Sequence, residues 1–557
     1  MARVYPGDRL ASEDAVFLYL ERKEMPLHIG SVSVFDGPIP FEACREFIES
    51  RLPLIPRYRQ RIVAPPLNVG HPTWEPDPDF DISNHVHHAQ LKRGTDAELR
   101  NFAGRLFTQM MDRSRPLWDM TIVDGLSGGR SVLISRVHHC LVDGVSGVGL
   151  LNVLLDPTLQ PQSGHKNRYH APPLPGPSAS LVDALATSYS EMVERMLSAQ
   201  AATLNIVQSL MSDQALRGLD QLLRLVPELL APVERLPFNQ ACLGPRKVAW
   251  SEFSIPEVKK VREACGGTLN DVVLTVVTSA VRRYAELHGA PVKNRLLRLM
   301  VPVNLRREGE PNGLGNRVSM LPVSVPLDLR DPVKLLDAIR QRTEALKTAR
   351  VADLIHLLAT WVGATPAPLQ ALLDPLTSLL PVPPFNLVCT NVPGPQAPLY
   401  VLGREMLTYY PYVPIGNEMG LGCAIQSYNH KLYFGLTGDA AVVPDIDRLK
   451  RFLDQALQEL RQAAGVGVAK AHRRPRPARA VRPAAVQEAP AMAEQAGARI
   501  EQPSVEHAQA SVETEQPFVG IEQPVLGIEL EAPALNGAGP EVVHEPAIPV
   551  SAAPGAN

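Results

Sequence analysis

The sequence predicts a protein of mixed α and β structure, built as two lobes with linking helices and a tail. The length of 557 residues exceeds the usual size of one domain. Two long stretches each alternate helix-like spacing of apolar residues with short β-rich runs. A Pro/Gly/Ser-rich stretch, about 156–163 and on through "HAPPLPGPSAS", separates them and breaks regular structure.

The first lobe is predicted over 1–160. Its stretch "FIESRLPLIPRYRQRIV" has the apolar spacing of a helix, whereas "SVLISRV" is typical of a strand. In the following region, 161–245, residues 181–230 place Leu, Val, Met and Ile at i, i+3 and i+4. This spacing predicts two or three helices that bridge the lobes.

The second lobe is predicted over 246–464. Helices are expected in "LNDVVLTVVTSAVRRYAELHG" and "DPVKLLDAIRQRTEALKTA", and strands in "NRLLRLMVPVNL", "RVSMLPVSVPL" and "KLYFGLTGD". The remainder, 465–557, is rich in Ala, Pro, Glu and Gln and is predicted to be disordered. Its basic start could contact anionic lipid, although a solvated linker is the simpler interpretation. That cluster consists of Arg473, Arg474, Arg476, Arg479 and Arg482.

Composition excludes several classes of protein. A formal net charge of -3 argues against a nucleic-acid binder, which needs a strong basic excess. The six cysteines form no C-x-x-C motif, which argues against a disulfide framework or a zinc knuckle. The sequence contains no signal-peptide pattern and no apolar run of the ~18 residues that a spanning helix needs. We therefore expect a cytoplasmic protein, soluble or peripheral to a membrane.

The stretch "SRVHHCLVDGVSG" carries the main candidate site. His138 and His139 follow a β-rich run, and Asp143 and Gly144 come shortly afterwards, where an apolar helix begins. A strand-loop-helix junction can hold polar groups rigidly and still expose them. A second histidine pair, in "NHVHHAQLKR", has no following Asp-Gly and is interpreted as ordinary surface or core histidines.

Several chemistries can be weighed at this junction. A metal site is disfavoured, because the zinc-protease pattern is absent and no third ligand lies nearby. "GVSGV" lacks the last glycine of a hydrolase elbow, so Ser146 is interpreted as a helix-start residue. Cys140 is interpreted as core filler. General-base catalysis by one histidine remains, worth about 10²–10⁴-fold, and Asp143 would either orient the ring or pair with an arginine.

The motif also resembles a known signature. "HHCLVDG" is similar to the H-H-x-x-x-D-G motif of CoA-dependent acyltransferases with the chloramphenicol-acetyltransferase-like fold, a superfamily that includes condensation domains. Over about residues 10–460, further stretches resemble the bacterial wax ester synthase/diacylglycerol acyltransferase family in order and spacing. They are "SRPLWDM", "LPFNQACLGPRKVAW", "GGTLNDVVLTVVTSAVRRY", "MVPVNLR", "GNRVSMLPVSVPLD", "FNLVCTNVPGP" and "YPYVPIGNEMGLGCAIQSYNHKLYFGLTGD".

The resemblance implies two acyltransferase lobes with a tunnel between them. It implies transfer of a long-chain acyl group from acyl-CoA to a diacylglycerol or a fatty alcohol, without an acyl-enzyme and without a cofactor or a metal. Contact with a membrane or with lipid inclusions is also expected. By position, His139 corresponds to the general base, His138 to its supporting neighbour and Asp143 to a structural acid. Gly144 corresponds to the small residue that leaves room for the thioester.

The resemblance carries over three further residues. The family's "ND" pair falls on Asn270 and Asp271 at a predicted helix start, where a capping role and a direct catalytic role both remain open. Arg306 is a candidate ion-pair partner of Asp143, with a solvated strand end as the alternative.

Two other function classes remain open. A condensation-type enzyme would need a carrier protein, and the sequence shows no attached carrier region. A non-catalytic lipid-binding or lipid-inclusion protein would use the same tunnel without turnover, with helices of 181–230 lying on lipid.

Overall fold

The chain is described by a computed structural model. The placed residues are 8–64, 71–142, 144–160, 231–304, 318–355 and 385–467, with scattered positions between 189 and 228 and residue 357. All of them belong to the larger of the two units into which the chain divides, Met1–Arg306 with Glu310–His472.

The first part of the chain alternates strands and helices. In chain order, its elements are β1 (Asp8–Arg9), α1 (Ser12–Leu20), β2 (His28–Phe35), α2 (Phe41–Arg51), β3 (Gln60–Val63), β4 (Thr73–Pro76), β5 (Val86–Gln90), α3 (Asp96–Thr108), β6 (Trp118–Leu126), β7 (Arg130–His138) and α4 (Gly144–Leu154). The predicted strand in "SVLISRV" is thus confirmed, and the apolar helix after the histidine motif begins at Gly144.

The second part follows the same mixed pattern. Its elements are β8 (Arg246–Ser254), α5 (Ile255–Cys265), α6 (Leu269–Leu287), β9 (Leu296–Asn304), β10 (Val318–Pro326), α7 (Pro332–Thr348), β11 (Leu387–Val392), β12 (Tyr400–Val401), β13 (Arg404–Tyr412), β14 (Leu421–Tyr428), β15 (Lys431–Asp439) and α8 (Ile446–Ala463). The helices and strands predicted for this half are confirmed as α6, α7, β9, β10 and β15.

Two six-stranded sheets carry the architecture. The N-terminal sheet has the order β12-β13-β2-β7-β6-β5, and the C-terminal sheet has the order β10-β9-β11-β14-β15-β8. A small sheet, β1-β4-β3, lies beside them in the chain's first part. Since β12 and β13 come from the segment predicted as the second lobe, the boundary at 246 does not divide the two sheets. The second half of the chain thus contributes β12 and β13 to the N-terminal sheet. The domain boundaries given by the sequence stay a prediction.

The helix predicted across "FIESRLPLIPRYRQRIV" is only partly correct. α2 ends at Arg51, and short 3₁₀ turns, Leu52–Leu54 and Pro56–Arg59, follow it. The chain then enters β3. Proline lacks the N–H that a continuing helix requires, so the two prolines of this stretch end the helix despite its apolar spacing.

A buried arginine ties the two parts of the chain together. The Arg246 guanidinium donates to the carbonyls of Glu24 and Ile415 and forms an ion pair with Asp439 at 3.3 Å. Its backbone N–H donates to Thr108 Oγ1 at 2.9 Å, at the end of α3. Because the guanidinium is almost fully buried, loss of these partners would leave an uncompensated charge inside the protein.

Some predicted features lie outside the described residues. These include most of the bridging segment 181–230, where the described positions are helical, and the tail from 468 onward. Within the described ranges, no single helix has the length and apolar composition of a membrane span. The helices α5 and α6 have that length and apolar composition only when they are taken together, and they are bent by 97° where they meet.

Candidate functional site

The histidine motif lies at the end of a central strand. β7 pairs with β2 on one side and β6 on the other. The His138 N–H donates to the Leu117 carbonyl at 2.9 Å, and the His139 N–H donates to the Leu27 carbonyl at 2.9 Å. The chain then turns, with the Leu141 N–H donating back to the His138 carbonyl. Neighbours on both sides therefore fix the backbone of the pair.

The His138 ring is fully buried, with a hydrogen bond at one nitrogen and a carboxylate beside the other. Nδ1 accepts the Cys140 backbone N–H at 3.2 Å, and Nε2 lies 3.3 Å from Oε1 of Glu21. An imidazole nitrogen that accepts an N–H bears no proton, so the proton of the ring is assigned to Nε2, facing the carboxylate. His138 is thus engaged by protein groups, as expected of a supporting residue.

Glu21 holds this ring from the end of α1. Burial raises the pKa of the Glu21 carboxyl, but the adjacent His138 ring and the hydrogen bonds from the Leu27 N–H and Arg113 outweigh burial and lower the pKa to about 2. Oε1 accepts the Leu27 N–H at 2.9 Å, and Oε2 accepts from Arg113 Nη2 at 2.9 Å. Glu21 is therefore an anion at neutral pH. The sequence analysis missed it, because an acidic residue at a helix end has no distinctive local pattern.

His139 differs from its neighbour in exposure. Its side chain is half-buried, and its ring stacks on Phe17 of α1 with ring centroids 3.9 Å apart and an interplanar angle of 6°. A general base must be reachable by the group that it deprotonates. Of the two histidines, His139 is the one that meets this condition.

Cys140 is buried in the apolar core, as predicted. Burial, together with the nearby carboxylates of Asp14 and Glu21, raises the pKa of the Cys140 thiol well above its usual value. The thiol stays protonated at neutral pH, whereas a cysteine nucleophile must be a thiolate. The structure thus favours core packing over a covalent role for Cys140.

A further histidine lies opposite the motif. His28 of β2 is the Cα partner of His138 and is fully buried, with its ring stacked on Tyr412 at 5.5 Å. Burial and the nearby positive groups, including Arg136 and Arg246, hold the pKa of His28 well below its usual value. His28 is neutral at physiological pH and adds no charge beside His138.

The "PLW" part of "SRPLWDM" supports the end of β7. The Trp118 ring lies between the rings of Tyr58 and His85, each with centroids 4.6 Å away, and Nε1 donates to the Tyr58 carbonyl at 2.8 Å. The preceding Leu117 carbonyl is the acceptor for the His138 N–H. This packing holds the backbone that accepts the His138 N–H.

The "ND" pair has separate contacts. Asp271 Oδ2 accepts from the backbone and hydroxyl of Thr268 at 2.7 and 2.8 Å, and Oδ1 accepts from Thr343 Oγ1 at 2.8 Å. The N-cap of α6 is therefore Thr268, and Asp271 completes a capping box rather than acting as the cap itself. Asn270 Oδ1 accepts from Asn391 Nδ2 at 3.3 Å, which links α6 to the "NVPGP" segment. These contacts favour a structural role for Asp271.

Some predicted site residues remain untested. Asp143 and Arg306 lie outside the described residues, so their ion pair stays a prediction.

The predicted tunnel also stays a prediction. A cavity of about 520 Å³ lies between β8 and α8, beside Trp250, Tyr410 and Arg461, and neither motif histidine lines it.

The other histidine pair lies on the surface. His87 and His88 are exposed on β5, and His88 Nε2 lies 2.9 Å from Asp124 Oδ2. The interpretation of these residues as ordinary surface histidines is confirmed. Across the part of the chain that the structure describes, no group of three or more His, Cys, Asp or Glu side chains is arranged to hold a metal ion.

Comparison with known proteins identifies the family. Residues 10–273 match the model of the wax ester synthase/diacylglycerol acyltransferase catalytic domain, and residues 314–461 match that of the WS/DGAT C-terminal domain. A probable diacylglycerol O-acyltransferase of Mycobacterium tuberculosis, tgs2, is 31% identical over 82% of this chain and 100% of its own. A second one from the same species, tgs1, is 29% identical over 81% of this chain and 96% of its own.

Solved structures agree with this assignment. The wax ester synthase/diacylglycerol acyltransferase from Marinobacter aquaeolei VT8 aligns with a TM-score of 0.58 and 25% identity, covering 82% of this chain and 100% of that one. The first condensation domain of the CDA synthetase aligns with a TM-score of 0.53 at 16% identity, over 82% and 96% of the two chains, which shows a shared fold. The two-lobe acyltransferase fold is thus confirmed, and the chain belongs to the wax ester synthase/diacylglycerol acyltransferase family.

Proposed function

We propose that this protein transfers a long-chain acyl group from acyl-CoA directly to the hydroxyl of a diacylglycerol or a long-chain alcohol, with His139 as the general base. The observation that carries the proposal is the difference in burial between two adjacent histidines. His138 is buried and contacted by Glu21 and the Cys140 N–H, whereas His139 is half-buried. Membership of an acyltransferase family supports the same reaction.

The reaction needs one proton carrier. His139 takes the proton of the acceptor hydroxyl while the hydroxyl oxygen attacks the thioester carbonyl. Collapse of the tetrahedral intermediate breaks the carbon–sulfur bond and releases CoA thiolate. The thiolate takes the proton back from His139, so the enzyme returns to its starting state without a covalent intermediate. General-base catalysis of this kind contributes about 10²–10⁴-fold.

The other residues have positioning roles in this proposal. His138 and the Glu21 carboxylate hold the end of β7, while Asp143 fixes the following loop and Gly144 leaves room for the thioester. Asp271 caps α6, and Asn270 steadies the wall of the substrate channel through its contact with the "NVPGP" segment. Acyl-CoA is the co-substrate, and the proposal includes no further cofactor.

An assay of thiol release from palmitoyl-CoA tests the reaction, with diacylglycerols and long-chain alcohols as acceptors. We expect His139→Ala to lower turnover by about 100-fold or more, while the matched surface variant His88→Ala keeps the wild-type rate. A folded His139→Ala protein with near-normal ester synthesis would contradict the proposal. The acceptor series identifies the preferred alcohol, and wild-type lipid binding without turnover would instead indicate a non-catalytic lipid-binding protein.

We also propose that the protein contacts a membrane surface or lipid inclusions, where its water-insoluble acceptors are found. Two apolar side chains of α1, Val16 and Tyr19, are 40% and 38% exposed on the helix that contacts the histidine pair. Cosedimentation with phosphatidylglycerol vesicles that contain diacylglycerol tests this contact. Recovery of all the protein in the supernatant would contradict it.

A further inference from the structure

Helix α1 and the residue that caps its C-terminus contact both motif histidines with side chains one turn apart. Phe17 stacks on His139, and Glu21, four residues later, faces His138. The Glu21 N–H donates to the Phe17 carbonyl at 3.1 Å, so the two residues belong to one helical turn. Residues at i and i+4 share a face of a helix. The C-terminal turn of α1, with its cap residue Glu21, therefore supports two rings that are adjacent in the chain but differ in exposure.

The stack on His139 is closer than other phenylalanine–histidine stacks in the described residues. Its centroid separation is 3.9 Å with 6° between the planes. The Phe41–His88 pair is separated by 5.2 Å with 30° between the planes, and the Phe80–His85 pair by 5.2 Å with 13°. A near-parallel contact at van der Waals distance restricts rotation of the imidazole out of its plane. The Phe41 pair lacks this close, parallel contact.

We propose that Phe17 is a positioning residue for His139, which fixes the plane of the imidazole and stabilises its protonated form during acyl transfer. This inference rests on the proposed function. The face of a benzene ring is negative and attracts a cation placed over it. His139 becomes a cation when it accepts the hydroxyl proton, so the stack favours the charged intermediate state. Phe17 itself contributes no proton and acts only through the imidazole on which it stacks.

Several titratable groups near this loop also affect the electrostatic environment of His139. Asp14, Glu21 and Arg113 interact electrostatically with Cys140, the residue after His139. From β2 and β7, His28 and His138 interact with each other. None of these groups changes in a Phe17 variant, so a change in His139 titration reports on the stack.

The kinetic test compares three variants of the full-length protein. Phe17→Leu removes the aromatic plane but keeps apolar bulk, Phe17→Tyr keeps the plane, and Phe41→Leu removes the matched ring on the surface pair. We expect Phe17→Leu to lower kcat by roughly 10-fold or more, because small errors in catalytic geometry are costly, with KM for palmitoyl-CoA changed less than about twofold. Phe17→Tyr should recover most of kcat, and Phe41→Leu should match wild type.

A second measurement does not depend on turnover. In protein labelled with ¹³C-histidine, the His139 ring resonance is identified from its loss in His139→Gln. In Phe17→Leu this resonance should move downfield as the ring-current effect of Phe17 disappears, and the pKa of His139 should fall by about half a unit. Phe17→Tyr should keep both values close to wild type, and circular dichroism and thermal unfolding confirm that each variant is folded.

The two measurements separate the inference from the proposed function. If wild-type protein does not transfer acyl groups, the proposed function fails, and the positioning role of Phe17 in catalysis fails with it, whereas the resonance still reports whether the stack exists. If wild type is active and His139→Ala is not, an unchanged kcat or an unmoved His139 resonance in Phe17→Leu overturns the inference alone. Loss of kcat with a shifted resonance and rescue by Phe17→Tyr supports it.

Discussion

The chain carries two pairs of consecutive histidines on one sheet or at its edge, and the pairs differ in burial rather than in the types of residue that contact them. His138 is the last residue of the central strand β7 and is fully buried against a carboxylate, whereas His139 follows the strand and is half-buried, with its ring stacked on Phe17. His87 and His88 lie on the edge strand β5, where both are exposed and His88 pairs with Asp124 at the surface.

This comparison shows that adjacency of two histidines does not define a site. Each pair includes a carboxylate partner and a stacked phenylalanine, so the types of neighbour are the same. What differs is burial, which strengthens electrostatic contacts by excluding water, and the rigidity of the strand end. The following predictions test how far burial accounts for the difference.

The largest expected effect on stability comes from the buried carboxylate. Glu21→Ala leaves the buried His138 ring and the Leu27 N–H without this acceptor, while Arg113 keeps its hydrogen bond to the Leu18 carbonyl. Leaving a buried polar group unsatisfied costs about 1–3 kcal/mol of unfolding free energy for each group. His88→Ala breaks the exposed pair with Asp124 and should cost less than about 1 kcal/mol. Urea unfolding of both variants measures the difference, and equal losses would show that burial does not distinguish the two pairs.

The same carboxylate should make stability depend on pH. The folded-state pKa of Glu21 is about 2, below its ordinary value of 4.5. A lowered pKa stabilises the fold above the ordinary value, and this stabilisation is lost as pH falls through the window from about 4.5 to about 2. At about 1.4 kcal/mol per pKa unit, this window corresponds to an upper bound of about 3 kcal/mol, which solvent screening reduces.

Comparison with Glu21→Gln isolates this contribution. The advantage of wild type over Glu21→Gln in unfolding free energy should be constant above pH 5 and should shrink across the acidic window. His88→Ala, measured over the same range, should run parallel to wild type. Thermal unfolding in a pH series checks both curves, and a constant difference between wild type and Glu21→Gln down to pH 2 contradicts the assignment.

Much of the fold followed from local patterns, whereas the contacts of the site did not. Apolar spacing predicted α6 and α7, and β-rich runs predicted β7, β9, β10 and β15. Each of these elements buries one or more faces, so its apolar residues recur with the period of a helix or a strand. The prediction that this helix continues to Val63 was wrong, because the apolar spacing was given more weight than the two prolines that end it.

For the candidate site too, the local setting could be predicted from the sequence, whereas the long-range contacts could not. The strand-loop-helix setting of His138, His139 and Gly144 could be predicted from neighbouring residues, and the structure describes it as such. Phe17 and Glu21 could not be predicted, because they reach the motif only when α1 packs against the end of β7, far along the chain. The joining of β12 and β13 to the first sheet was missed for the same reason, since pairing between distant strands has no local signature.

The smallest expected effect concerns Cys140, the residue that follows the motif histidines. Cys140 is buried among apolar side chains, and burial keeps its thiol protonated. Cys140→Ala should therefore leave kcat within about twofold of wild type, because the proposed acyl transfer uses no cysteine, and should cost only about 1 kcal/mol for the small cavity. Loss of turnover in a Cys140→Ala protein of normal thermal stability would instead favour a covalent acyl-enzyme. Mass spectrometry of wild type mixed with palmitoyl-CoA alone decides between the routes, since direct transfer predicts an unmodified chain, whereas the covalent route predicts a palmitoyl adduct that Cys140→Ala abolishes.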